Sequence, residues 1–264
     1  METTQVVAEP GRPWLEHYDT GVPRTIEYPR IPLTELLART AAAHPRRAAT
    51  RFYDATLSYA HLAELVDRLA GALHDLGVRQ GDRVAIMLPN VPQFVIAFFA
   101  AQRLGAVAVP TNPLYKEHEL AYQLADAGAE TLIVLDRLYP TARRALPATP
   151  VRHVICTGVQ DFLPLAKAAL YPLKSRHDGT PLPRLRGARV LQMHRMLHHE
   201  PWAAPTPADP DDVAVLQYTG GTTGICKGAM LTHRNLVVNA VQAWQWNPNA
   251  HVEDTDATLC VTPF

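Results

Sequence analysis

Between Arg83 and Cys156 the chain alternates near-continuous apolar runs with helix-like stretches of about ten residues, a pattern that few folds can absorb. Arg83-Val-Ala-Ile-Met-Leu88, Ala106-Val-Ala-Val109, Thr131-Leu-Ile-Val-Leu135 and Val151-Arg-His-Val-Ile-Cys156 have strand length and no consistent polar side. The stretches 92–104, 117–127 and 137–145 between them read as helices. A strand that is apolar on both sides must be covered on both sides, and parallel neighbours need a crossover segment. The predicted fold class is therefore α/β, with parallel sheets covered by helices on both faces.

The flanks are read in the same way. Pro10, Pro13, Pro23, Pro29 and Pro32 deny regular helix to the first thirty-two residues, which read as an extended arm. A short helix is expected over 33–41. A longer one follows Ser58 as N-cap, with Leu62, Leu65, Val66, Leu69, Leu73 and Leu76 recurring at three- and four-residue steps as far as Gly77. Prolines from Pro164 to Pro210 interrupt the pattern over 161–210. Within that excursion the stretch from Phe162 to Arg176 mixes leucines with Lys167, Lys174 and Arg176. Two readings stay open for it, a peripheral contact with an anionic membrane and a surface excursion packed on its own domain.

Charge narrows the function classes. With 25 Lys+Arg against 25 Asp+Glu, the net charge of +0 offers no global field for nucleic acid, and no nucleic-acid partner is expected. The longest apolar run, Phe94 to Ala101, is too short to span a bilayer, and the polar opening lacks the pattern of a signal peptide, so a cytoplasmic location is expected. Cys156, Cys226 and Cys260 have no zinc-like spacing and read as reduced thiols.

The segment that carries chemistry begins with a strand, Val213-Ala-Val-Leu-Gln-Tyr218, and runs into Thr219-Gly-Gly-Thr-Thr-Gly-Ile-Cys-Lys-Gly228. Gly220, Gly221, Gly224 and Gly228 free the backbone to turn N–H groups towards one point. Thr219, Thr222 and Thr223 add hydroxyls and Lys227 adds a positive charge, a combination suited to a polyphosphate. A purely structural hairpin is the alternative. The loop is not a Walker P-loop, because Ile225 and Cys226 separate Gly224 from Lys227 and the apolar Ala-Met-Leu follows; a helix is expected only from His233 to Trp244. His233 reads as a helix-start residue with local hydrogen bonds, His194, His198 and His199 as a solvated cluster, and Trp244 and Trp246 as core aromatics.

Tyr218-Thr-Gly-Gly-Thr-Thr-Gly-Ile-Cys-Lys-Gly-Ala-Met-Leu-Thr-His-Arg-Asn235 resembles the signature of the adenylate-forming (AMP-binding) superfamily, in particular the bacterial long-chain fatty-acid:CoA ligases. Leu57-Ser-Tyr-Ala-His-Leu62 and Arg103-Leu-Gly-Ala-Val-Ala-Val-Pro-Thr-Asn-Pro-Leu-Tyr115 are similar to two earlier family segments, so the likeness extends from about Pro32 onward. It implies a two-step reaction: a fatty carboxylate attacks the α-phosphate of ATP and releases pyrophosphate, and the CoA thiol then displaces AMP. It also implies Mg²⁺ as cofactor, with fatty acid, ATP and CoA as small-molecule partners. By the same likeness, Thr219, Gly220, Gly221, Thr222, Thr223, Gly224, Lys227 and Gly228 would bind ATP. Cys226 stands where the family often has Ser or Ala and reads as a small residue that fits.

The resemblance also sets expectations about extent. Residues 33–264 read as part of an AMP-binding domain, with a first α/β subdomain over about 55–245 and, from Asp256 to Phe264, the opening strand of a second. The family's Tyr-Gly-x-Thr-Glu and Thr-Gly-Asp motifs and its later catalytic lysine have no match here. By the resemblance, the catalytic Glu and Lys of the family would lie beyond Phe264, so no catalytic residue is assigned within the chain. The expectation is an amino-terminal fragment of the ligase, inactive alone. Half of a split ligase, a homodimer and a non-catalytic nucleotide-binding or interaction module are the alternatives.

Overall fold

The computed structural model describes residues 11–177, 190–219, 226–246 and 257–260. After a 3₁₀ turn at Pro13–His17 come α1 (Thr34–Ala43) and a small antiparallel pair, β1 (Ala48–Phe52) with β2 (Ala55–Ser58). Then follow α2 (Tyr59–Asp75), β3 (Arg83–Met87), α3 (Pro92–Arg103), β4 (Val107–Pro110), α4 (Glu117–Ala127) and β5 (Thr131–Leu135). The order continues through α5 (Tyr139–Ala145), β6 (His153–Thr157), α6 (Leu165–His177), β7 (Val190–Gln192), α7 (Met193–Met196), β8 (Val213–Thr219), β9 (Lys227–Thr232) and α8 (His233–Gln245).

Seven strands form one sheet in the order β7-β6-β5-β3-β4-β8-β9. All neighbours pair in parallel except β8 and β9, which are antiparallel. The period of two along a strand then sorts the core. Val84, Ile86, Ala108, Ile133 and Ile155 join α2 and α3 in one buried cluster, while Ala85, Met87, Val109, Leu132, Val134, Val154 and Cys156 join α4 and α5 in another. The sheet is thus covered on both faces, as the apolar runs require, and the fold is α/β with a mainly parallel central sheet. Cys156 lies inside the second cluster, where burial pushes its thiol pKa up to about 12 and leaves it inert as a nucleophile.

Local chemistry places the helix ends. The Ser58 hydroxyl accepts from His61 N–H at 3.3 Å to open α2, and the Glu119 carboxylate accepts from Lys116 N–H at 2.8 Å to open α4. In the middle of α2, Gly71 allows the chain after α7 to cross against the helix. A Cβ at Gly71 would lie 2.4 Å from the Glu200 carbonyl oxygen. That crossing is tied down by Arg68, whose Nη1 donates to the His199 carbonyl at 2.8 Å, and by Trp202 N–H, which donates to the Asp67 carbonyl at 2.9 Å.

Several features depart from the expectations. The Pro-rich excursion contains regular structure: α6 passes through Pro172, and β7 adds a further parallel strand beside β6. The Ala-Met-Leu after the glycine-rich loop belongs to β9, the antiparallel edge strand. Trp244 and Trp246 are more than half exposed rather than core aromatics; Trp246 packs edge-on to Tyr18 with ring centroids 5.0 Å apart. In the stretch expected as a strand from Asp256 to Phe264, residues 257–260 have no regular structure. Asp256 and the residues after Cys260, Phe264 included, lie outside the described residues.

His233 is fully buried at the start of α8, and its long-range partner is the N-cap of α1: Leu33 N–H donates to its Nδ1 at 3.2 Å. Burial lowers its pKa by disfavouring the charged imidazolium, with the nearby Asp212 carboxylate opposing the shift only in part. A depressed imidazole pKa means that the unfolded chain binds the proton first. Stability supplied by neutral His233 is therefore full above the unfolded pKa, about 6.5, and is lost as pH falls below it. Between pH 7.5 and pH 5.5 the unfolding midpoint of the wild-type chain is expected to drop more than that of His233→Asn. Parallel pH profiles would refute this.

Candidate nucleotide phosphate site

The site is built at the carboxyl end of β8, which runs parallel to β4 and ends at the sheet's carboxyl edge. Ligands of open α/β sheets bind outside that edge, where loops leave the strands. Here the antiparallel return of β9 brings Thr219 opposite Lys227 and Tyr218 opposite Gly228. Thr219 and Lys227, eight positions apart in sequence, thus face each other as a strand pair at the mouth of the loop, both exposed. Gly220, Gly221, Thr222, Thr223 and Gly224 lie outside the described residues.

What the structure adds is the anchoring of the loop's two ends. Tyr218 is buried, and its hydroxyl donates to Asp126 Oδ2 on α4 at 2.5 Å. Burial, then the bond to Asp126, raises the phenol pKa and keeps it a donor. On the returning side, Tyr122 of α4 donates its hydroxyl proton to the Cys226 carbonyl at 3.2 Å, and the Tyr115 hydroxyl lies 3.9 Å from Cys226 Sγ. Burial, with the Cys226 contact second, raises the Tyr115 pKa as well. Three tyrosines and one carboxylate therefore fix both ends of the hairpin to one helix and the turn before it. The i, i+4 spacing of Tyr122 and Asp126 on α4 was the only sequence trace of this arrangement.

Gly228 completes it. A Cβ there would lie 3.0 Å from Tyr218 Cε2 and 3.1 Å from Cζ, so the glycine makes room for the ring it pairs with. Gly228→Val is expected to displace Tyr218, break its bond to Asp126 and weaken nucleotide binding about tenfold, the worth of one hydrogen bond to a charged group. Gly228→Ala should fall between this variant and wild type. Calorimetric ATP titration of both variants checks the order, and unchanged affinity in Gly228→Val would remove the ring clamp from the account.

The other sequence candidates fall elsewhere. His233 belongs to the packing against the start of α1 and not to the loop mouth. His199 Nε2 sits 3.0 Å from Asp75 Oδ2 and its Nδ1 3.0 Å from the Glu200 carbonyl, at the crossing over α2. Among the described residues no group of three or more His, Cys, Asp and Glu could hold a metal ion. No helix among the described residues is long and apolar enough to cross a membrane.

Comparison with known proteins agrees with the fold. The model of the AMP-binding enzyme family matches residues 37–264. A long-chain-fatty-acid–CoA ligase of Bacillus subtilis is 37% identical over 256 residues, covering 96% of this chain and 45% of that protein. One from Escherichia coli O157:H7 is 34% identical over 234 residues, 87% of this chain and 42% of the relative. The chain spans about half the length of the curated relatives it matches. Among solved structures, a long-chain-fatty-acid-CoA ligase from Archaeoglobus fulgidus superimposes with a TM-score of 0.67 at 27% identity, over 86% of this chain and 41% of the other. A family model matched across most of the sequence, together with these relatives, establishes that the chain belongs to the AMP-binding enzyme family.

Proposed function

We propose that this chain supplies the phosphate grip for ATP-dependent activation of a fatty acid, in which acyl-adenylate forms with release of pyrophosphate and CoA then takes the acyl group. The observation that carries the reading is the cross-strand pair of Thr219 and Lys227, which brackets a glycine- and threonine-rich connection at the carboxyl edge of a parallel sheet. The names of the Bacillus and Escherichia relatives support the fatty acid and CoA.

The chemistry follows from charge. A carboxylate approaches a polyanion poorly, so the phosphates must be held and neutralised before attack at the α-phosphorus. Lys227 offers a compact ammonium and Thr219 a hydroxyl donor, and the loop glycines permit close backbone approach. The roles of Gly220, Gly221, Thr222, Thr223, Gly224 and Gly228 in holding ATP belong to the same proposal. So does the division into an arm over 1–32 and part of an AMP-binding domain over 33–264. Mg²⁺, implied by the family resemblance, would add charge neutralisation on the phosphates.

The test separates grip from turnover. The chain is titrated with ATP by calorimetry, and pyrophosphate release is then followed with palmitate present and absent. Saturable ATP binding supports the grip. Palmitate-dependent pyrophosphate release would give this chain the whole first step, whereas binding without release would make it the nucleotide-holding part of a reaction completed elsewhere. Absence of ATP binding would overturn the proposal.

A further inference from the structure

Helix α6 is built inside out. Its inner face consists of Ala168, Tyr171 and Ser175, spaced i, i+3, i+7, and that face is held through Arg137. The Arg137 guanidinium lies over the Tyr171 ring at 5.4 Å, and its Nη2 donates to Ser175 Oγ at 3.1 Å. The opposite, outward ridge is Ala166, Leu170 and Leu173 at i, i+4, i+7, with Leu165 and Ala169 beside it. Leu165 is 91% exposed, Leu170 61% and Leu173 64%. A helix on a globular protein turns its leucines inward and its polar residues out, so this reversal calls for an apolar surrounding on the outside.

Charge identifies that surrounding. The helix carries Lys167, Lys174 and Arg176 and no acidic residue, whereas the whole chain is neutral. All three cations are exposed and flank the leucine ridge on its two sides. Lys167 pairs with Asp54 of the β1–β2 turn, which brings Tyr53, 72% exposed, beside α6. Leucines between flanking cations, with a tyrosine at the margin, match the boundary between headgroups and acyl chains of an anionic bilayer. There the leucines leave water, the long cationic stems reach lipid phosphates and the phenol sits at the interface.

We infer that α6 docks this protein on the surface of an anionic membrane, lying in the interface with Leu165, Leu170 and Leu173 immersed and Lys174 and Arg176 on the headgroups. The inference stands on the geometry of α6 alone and needs no ATP, so its failure would leave the phosphate grip untouched.

The test is co-sedimentation with vesicles of phosphatidylcholine containing 30 mol% phosphatidylglycerol, against pure phosphatidylcholine, without nucleotide. The chain is expected to bind the anionic vesicles at least tenfold more tightly, and raised salt should weaken the binding. The double variant Leu170→Ser, Leu173→Ser is expected to lose binding about tenfold with its circular dichroism and unfolding midpoint unchanged, because both side chains are already in water. Lys174→Gln with Arg176→Gln should abolish the preference for anionic lipid. Absence of vesicle binding, or binding that both double variants leave intact, would overturn the inference. So would a loss of self-association in the leucine variant without any vesicle binding by the wild type, which would assign the ridge to a protein contact.

Discussion

Replacing Lys227 by alanine is expected to weaken ATP binding by between about tenfold and a hundredfold while leaving the unfolding midpoint unchanged. The magnitude is that of hydrogen bonds to a charged group, about 1.5–3 kcal/mol. The exposure of Lys227 at the hairpin mouth argues that stability will not move, since the side chain is already solvated in the free protein. Lys227→Arg should retain part of the affinity, because charge persists while the compact ammonium is lost. The same titration at higher salt should narrow the gap between wild type and variant. Equal affinity for wild type and Lys227→Ala would take the lysine out of the site. Thr219→Val, opposite it in register, should weaken binding less, since it removes a neutral donor.

The second large effect concerns stability. Gly71→Ala would ordinarily stabilise a helix interior by about 1 kcal/mol. Here it is expected to destabilise by about 2 kcal/mol, and Gly71→Val by more, because the added carbon meets the Glu200 carbonyl oxygen at 2.4 Å and His199 Nδ1 at 2.9 Å. The oxygen is backbone, so relief requires the crossing segment to move as a body. Movement would strain the bonds from Arg68 to the His199 carbonyl and from Trp202 N–H to the Asp67 carbonyl. Urea unfolding of the two variants measures the cost, and a rise in midpoint for Gly71→Ala would show that the segment yields without loss.

Much of the central sheet could be read from local pattern, and the reason is physical. Thr131–Leu135 is buried at every position and 117–127 has its own capping carboxylate in Glu119, so their limits are set by residues that lie within or beside them. The features missed depend on distant partners. Strand β9 exists because β8 offers it an antiparallel edge, and its own sequence alternates too weakly to announce it. Helix α6 has its leucines on the wet side and a proline inside, which defeats both the period and the breaker rule. Trp244, in the last turn of α8, and Trp246, at its C-cap, face solvent, which their aromatic character gives no means of telling from a core position.

For the site, residue types were legible and their supports were not. Glycines, threonines and a lysine in one short run declare an affinity for phosphate whatever surrounds them. The tyrosine clamp is spread over more than a hundred positions, from Tyr115 to Cys226, and only the fold brings it together. Asp126 in particular is an unremarkable helix residue until Tyr218 reaches it across the sheet.

The paired register of Thr219 with Lys227 makes the connection between them behave as a cassette. Its two ends are pinned by the strand register and by the bond from Tyr122 to the Cys226 backbone carbonyl, neither of which uses the side chains of residues 220–225. Side chains at 220–225 can therefore be exchanged to suit a different phosphate chain without removing the contacts that hold the β8–β9 pairing. A chimaera carrying another family member's residues at 220–225, with Cys226 kept, would keep its sheet and change only what it holds.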